Sequence, residues 1–128
     1  MFNKVVLVGN VGAVPRMRRP GGQYCATLQL ATHRSWSDRE GQRKEDTQWH
    51  PLVFWGPQAE LAGEILDKGQ LVMVDGRLKH SSWVDRDDPS KTHYRTEVVV
   101  EWFRVLSPKT AAPGDPPSLP QEAPESPP

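Results

Sequence analysis

Thr47-Gln48-Trp49-His50-Pro51-Leu52-Val53-Phe54-Trp55-Gly56 is the stretch whose reading decides the fold. It is dense in aromatic and β-favouring residues and is closed by Gly56-Pro57, so it reads as a strand with alternate side chains on opposite faces. Trp49, Val53 and Trp55 then share one face, and His50, Leu52 and Phe54 share the other. The second face joins a core in the ordinary way. The first sets two indoles near each other on a sheet surface and has two readings. Either both faces are covered and the tryptophans are core or interface, or the tryptophans form a platform on which flat ligands, nucleobases above all, stack.

Upstream, Lys4-Val5-Val6-Leu7-Val8 is a short β-branched strand, and Gly9 and Gly12 fall where a strand bulges or bends. Pro15 to Gly22 reads as a loop or hairpin tip holding Arg16, Arg18 and Arg19, and alternation returns from Gln23 to His33 as a second strand. Arg34 to Asp46 is polar, with Glu40-Gly41-Gln42 as its tip. Within it Trp36 stands among Arg34, Arg39, Arg43 and Lys44, either folded back to cap a core or exposed for stacking. Downstream, Gln58 to Lys68 is the one convincing helix, with Leu61, Ala62, Ile65 and Leu66 at helical spacing. Leu71 to Lys79 is a fourth strand. Val72, Val74 and Leu78 lie on one side, Arg77 and Lys79 on the other, and Gly76 marks a bulge. His80 to His93 reads as a long hairpin connection carrying Trp83, Arg86 and Lys91. The last strand, Tyr94 to Leu106, sets Val98, Val100 and Trp102 against Val99, Glu101 and Phe103, and assigns Trp102 to the core or to a subunit contact.

From residue 107 the composition changes. Eight of the chain's 13 prolines fall in 107–128, with almost no large apolar side chains, so this tail is expected to be disordered while 1–106 form one domain. Charge divides at the same place: 15 Lys and Arg face 13 Asp and Glu in the body, so any polyanion site must come from local clustering. No apolar run is long enough to span a membrane, no secretory signal precedes the first strand, and a cytoplasmic bacterial protein is expected. The lone Cys25 supports neither an internal disulfide nor a thiolate metal cluster.

Three strands, a helix and two further strands are the layout of an all-β, five-stranded OB-type Greek-key barrel. Such barrels bind oligonucleotides on the face of strands 2 and 3 and through the 1–2 and 4–5 loops. The loose aromatics and cations lie in those regions. A larger pattern now appears. Asn3 to Gly12, Leu30-Ala31-Thr32 with Ser35-Trp36, Thr47 to His50 with Trp55-Gly56, Lys68-Gly69, Gly76-Arg77-Leu78 and Thr96 to Val100 together resemble the bacterial-type single-stranded DNA-binding protein family over residues 1–106.

The resemblance implies that Trp36, Trp49 and Trp83 stack on bases, that Trp55 replaces a stacking phenylalanine, and that His50 lies at a subunit interface of a homotetramer. It implies non-catalytic, largely sequence-independent binding and protection of single-stranded DNA in replication, recombination and repair. Arg16, Arg18, Arg34, Arg43, Lys44, Arg77, Lys79 and Arg86 are the candidate phosphate partners. Two departures stand out. Pro51 occupies a place where a central strand needs an amide donor, implying a bulge or edge position. The tail ends Glu125-Ser126-Pro127-Pro128 in place of the family's acidic, hydrophobic-tipped segment that recruits replication and repair proteins, as an accessory paralogue would. The alternative is an accessory OB scaffold of replication restart acting mainly through protein contacts. An enzyme is not expected, because the four histidines show no metal-ligand spacing or paired nucleophile, and no cofactor or metal is implied. Asp85-Arg86-Asp87-Asp88-Pro89 lacks the glycine and terminal glutamate of a calcium loop and reads as a turn.

Overall fold

The computed structural model describes residues 1–107. The expected disorder of the tail from residue 108 onward lies outside the described residues. Strands β1 (Val5–Val11), β2 (Arg16–Arg18), β3 (Cys25–Ser37) and β4 (Arg43–Trp55) precede helix α1 (Pro57–Ile65), and β5 (Leu71–Val84) and β6 (Thr92–Val105) follow it. Neighbouring strands run β1-β5-β6-β4-β3-β2, and a further β1–β3 pairing closes β1, β3, β4, β6 and β5 into the five-stranded barrel that the order of elements implies.

Closure depends on one strand serving two neighbours. Val5 to Asn10 pair with Gly76 to Leu71, whereas Asn10 and Val11 also pair with Ala31 and Leu30. Gly9 makes the crossing possible, since a Cβ there would run into the Ala31 carbonyl. Among the described residues only β4 and β6 pair in parallel, at Leu52↔Val98 and Val53↔Val99.

Alternation fills the barrel as the pattern predicts for β3, β4 and the start of β5. Leu28, Leu30, Leu52, Phe54, Val72 and Val74 point inward, with Phe103 meeting Phe54 edge to face at 5.3 Å. The helix closes one end with only part of the expected face, Ala62 and Leu66. Ala59 and Ala62, followed by Leu66, are buried, whereas Leu61 and Ile65 are exposed. It also stops three residues earlier than Lys68. Gln70, a buried polar residue, donates its amide to the Ile65 carbonyl at 3.2 Å and accepts the Asp67 N–H at 2.7 Å, drawing the last turn into a loop.

Three further expectations are corrected. The segment 15–22 contains the short strand β2, paired with Cys25 to Thr27. The two polar hairpins after the second and fourth predicted strands are longer ladders than expected: β3–β4 stays paired out to Ser37↔Arg43, and β5–β6 to Val84↔Thr92. These two ribbons leave the barrel, so neither face is obliged to be apolar, and hydrophobic periodicity stops where the hydrogen-bonded ladder does not. Leu78 is exposed although its partner Val98 is buried; it lies past Gly76, the last residue of β5 that pairs with β1. Finally, Trp102 is not core. The register shifts between Asp75 and Gly76, where Gly76 packs against the Val99 carbonyl too closely for any Cβ. That bulge reverses the phase of β6, so Val98 and Val100 point inward before it and Phe103 after it, leaving Trp102 exposed. The bulge predicted from Gly76 is present. Pro51 causes none: it pairs in regular register with Gln29 and lies just before the β6 pairing begins, where β4 has a ladder neighbour on one side only.

Candidate nucleic-acid interface

Pairing registers lay out the outer face of the barrel row by row. Arg16, Thr27, Val53, Val99 and Arg77 form one continuous row across β2, β3, β4, β6 and β5. At roughly 4.8 Å per strand that row is about 19 Å wide, with a guanidinium at each margin and apolar side chains between. Next to it, Arg18 pairs with Cys25 and Cys25 with Trp55. On the other side come Ala31 with Trp49, and farther along β5–β6, Lys79 with Glu97 and Trp83 with His93. Trp49, Trp55 and Trp83 therefore belong to one face. All three are partly exposed, at 56%, 37% and 45%, whereas Cys25, Val53 and Val99 beneath them form a small buried cluster of their own.

A groove of about 880 Å³ runs along this face, lined by the 12–14 connection, Arg16, Arg18, Thr27, Gln29, Trp49, Pro51, Arg95 and Glu97. Its position follows from the short β2, which holds two arginines on the outer side while Met17, between them, turns inward against Gly63 of α1. Arg95 and Glu97 are groove residues that sequence reasoning missed. Extending the outward phase of Val99 backward by twos along the strand reaches both of them. Arg95 lies 3.9 Å from the Glu97 carboxylate, and its guanidinium stands 5.3 Å from the centre of the Trp83 ring.

Trp36 behaves differently. By the pleat of β3 it lies on the face opposite Trp49 and Trp55, on the far part of the ribbon, 40% exposed and with the Arg34 guanidinium 4.5 Å from its ring centre. Arg34 and Lys44 share that side, whereas Arg43, bonded to the Ser35 hydroxyl at 3.1 Å, shares the side of Trp49. The predicted cations are thus divided. Arg16, Arg18, Arg43, Arg77 and Lys79 flank the three-tryptophan face, Arg34 and Lys44 accompany Trp36, and Arg86 sits in the 85–91 turn. Arg77 is partly neutralised by Glu101 at 3.2 Å, and Lys44 lies 3.9 Å from Asp38.

Both ribbon tips are tied by an aspartate two residues beyond a tryptophan. Asp38 accepts the N–H groups of Glu40 and Gln42 at 2.9 and 2.8 Å, and Asp85 accepts those of Asp87 and Asp88 at 2.8 and 3.1 Å. Asp85 also holds His93 at 2.7 Å, and His93 stacks on Trp83 with centroids 5.5 Å apart. The His93 contact, followed by the two backbone donors, holds the Asp85 carboxyl below the ordinary carboxylate range; Ser90 does the same for Asp88. His50 is half-buried on the opposite side of β4 from the tryptophans, its Nε2 2.8 Å from the Thr32 hydroxyl. Among the described residues no group of His, Cys, Asp and Glu is arranged to hold a metal ion, and no helix is long and apolar enough to cross a membrane.

A closed five-stranded barrel with an aromatic, cation-margined groove on its strand 2–3 face defines an OB-type oligomer-binding module. The chain belongs to the single-strand binding protein family, whose model matches residues 2–106. Solved structures agree. A deletion mutant of the single-stranded DNA binding protein from Thermus aquaticus is 35% identical with a TM-score of 0.72, over 84% of this chain and 52% of that one. The wild-type Thermus aquaticus protein is 34% identical with a TM-score of 0.69, over the same shares of each. A Plasmodium falciparum SSB in complex with ssDNA is 31% identical with a TM-score of 0.72, over 83% of this chain and 96% of that one. This chain spans about half the length of the Thermus aquaticus proteins it matches.

Proposed function

We propose that this chain binds single-stranded DNA non-catalytically and with little regard to sequence, laying bases on Trp49, Trp55 and Trp83 and phosphates along the arginine margins. The observation that carries this reading is the single outer face that bears three part-exposed indoles, one of which, Trp49, lines a groove together with Arg16, Arg18 and Arg95. Each base stacked on an aromatic ring contributes roughly 1 to 3 kcal/mol, so three such steps supply about 3 to 9 kcal/mol before ordering costs. Every base has a π-face, which accounts for sequence tolerance, and a duplex hides those faces. Trp36, on the reverse of its ribbon with Arg34, extends the path for a strand that passes around the ribbon edge. Protection of exposed strands in replication, recombination and repair is the corresponding role, and it requires no cofactor.

We further infer that copies of the chain assemble, with His50 near the contact, as a homotetramer. Its half-buried ring, held by Thr32 on the side away from the groove, supports this. Sedimentation of wild type and His50→Ala tests it, and a wild-type monomer rejects it.

The binding test is titration with oligo-dT followed by tryptophan fluorescence at several salt concentrations. Saturable quenching is expected, absent with duplex. With about four cations engaged, log K should fall with log salt at a slope near −3, from about −0.7 per phosphate neutralised. A folded protein whose fluorescence does not respond to oligo-dT rejects the stacking reading in favour of a scaffold that acts through protein contacts.

A further inference from the structure

Gly12 lies just past the end of β1, in the connection that forms one wall of the groove. It is not among the glycines with positive φ, so its backbone conformation is open to any residue. Space is the reason for a glycine here. A Cβ at position 12 would stand 2.6 Å from Cζ3 and 3.3 Å from Cη2 of Trp49, the two far atoms of the six-membered ring of the indole.

The backbone is held up to and including the Gly12 N–H. Gly12 donates its N–H to the Gln29 carbonyl at 2.9 Å. Val11 is held by the Gln70 carbonyl at 2.9 Å and by the Gly69 N–H at 2.7 Å. The same Cβ would stand 3.2 Å from the Gln29 carbonyl oxygen, a tight contact that a shift of a few tenths of an ångström relieves, whereas the 2.6 Å overlap with the indole is relieved chiefly by rotation of the Trp49 side chain. We propose that Gly12 is a positioning residue for the binding face: it touches no base itself, but by lacking a side chain it lets the outer ring of Trp49 rest on the β1–β2 connection and fixes where in the groove the indole stands.

This proposal rests on the reading that Trp49 stacks on bases, and the experiment keeps the two apart. Wild type, Gly12→Ala, Trp49→Ala and the double variant are titrated with oligo-dT, with circular dichroism to verify folding. Trp49→Ala is expected to weaken binding by about tenfold, the loss of one stacked base. Gly12→Ala is expected to weaken it several-fold with an unchanged salt slope, and to add nothing once Trp49 is alanine. Pairing Gly12→Ala with Trp49→Phe, whose ring lacks the two far atoms, should bring affinity back to that of Trp49→Phe alone. Gly12→Ala binding like wild type while Trp49→Ala is impaired overturns the proposal and leaves stacking intact. An equal loss with and without the indole overturns it as well, as does an unfolded Gly12→Ala protein, since the glycine would then serve the fold. Wild-type affinity in Trp49→Ala removes the stacking reading itself.

Discussion

Glu97 is a carboxylate in a groove read here as a path for phosphates, and replacing it should tighten binding. Its side chain is only 16% exposed, lines the groove with Trp49, and sits 3.9 Å from Arg95. In Glu97→Gln the shape is kept and one negative charge is removed. For a phosphate about 7 Å away the repulsion relieved is ~0.6 kcal/mol in bulk water and ~2.4 kcal/mol at an effective dielectric of about 20. Those bounds correspond to affinity gains of roughly 3-fold and 50-fold at low salt, shrinking as the Debye length falls to about 8 Å near physiological ionic strength. Arg95, released from its neighbour, becomes free to meet the strand, so the slope of log K against log salt should steepen by up to about 0.7. Oligo-dT titrations of both proteins at about 50 and 200 mM salt read both quantities. Equal affinities and equal slopes would refute the placement of the strand beside β6. A weaker complex would refute the sign of the argument, because the carboxylate would then be accepting a hydrogen bond from a base.

The phase reversal in β6 makes Phe103→Ala costly, by about 3 to 5 kcal/mol for a large aromatic removed from a core, whereas Trp102→Ala should leave the denaturation midpoint of the barrel nearly unchanged; equal losses would contradict the reversal. Gly76→Ala should cost about 1 to 3 kcal/mol by chemical denaturation, since the new Cβ meets the backbone of Val99 in a packed barrel. Asp85 has a folded-state pKa lowered by His93 and two backbone donors, so its stabilising effect is present above the ordinary carboxylate range and is lost as pH falls through the lowered value. Proteolysis within the 85–91 turn should therefore accelerate in wild type below about pH 4 and accelerate less in Asp85→Asn, where only the Asp88–Ser90 contact remains to be lost; coincident profiles would mean the turn is not held by the Asp85 carboxylate. Arg77→Ala, whose guanidinium is already shared with Glu101, should reduce oligo-dT affinity less than Arg16→Ala, which makes no ion pair among the described residues.

Much of this architecture is legible in the residues, for reasons that also mark where legibility ends. The Trp49 to Trp55 strand could be read because one of its faces must be apolar: Leu52 and Phe54 are buried by the barrel, and the alternation that buries them turns the tryptophans outward. Gly76 announced its bulge because only a residue without Cβ tolerates the approach of Val99. The consequence of that bulge was not legible. A register shift involves two strands, and nothing in the β6 sequence records that the phase reverses between Val100 and Phe103, which is why Trp102 and Phe103 exchange places. The two hairpins could be read from their polar composition and turn residues, but not how far their ladders run, because no burial constrains them; Arg95 was missed for that reason, since its side depends on the continuation of β6 beyond the barrel. For Trp36 the residues left two places open, capping the core or exposed, and its side of the ribbon depends on a regular ladder persisting to Ser37.

The way β1 bridges β5 and β3 governs the order in which the molecule can be made. The β3–β4 ribbon is a local hairpin and is able to form as soon as residues 25–55 have left the ribosome. The first strand, although synthesised earliest, finds its principal partner only when residues 71–76 emerge, and the ring is sealed only when β6, ending at Val105, reaches both β4 and β5. Until then β1 is a β-branched segment with an open side, vulnerable to pairing with another nascent chain. Loop closure over most of the sequence must come before these contacts are rewarded, placing folding in the slow, millisecond-to-second class of β-barrels.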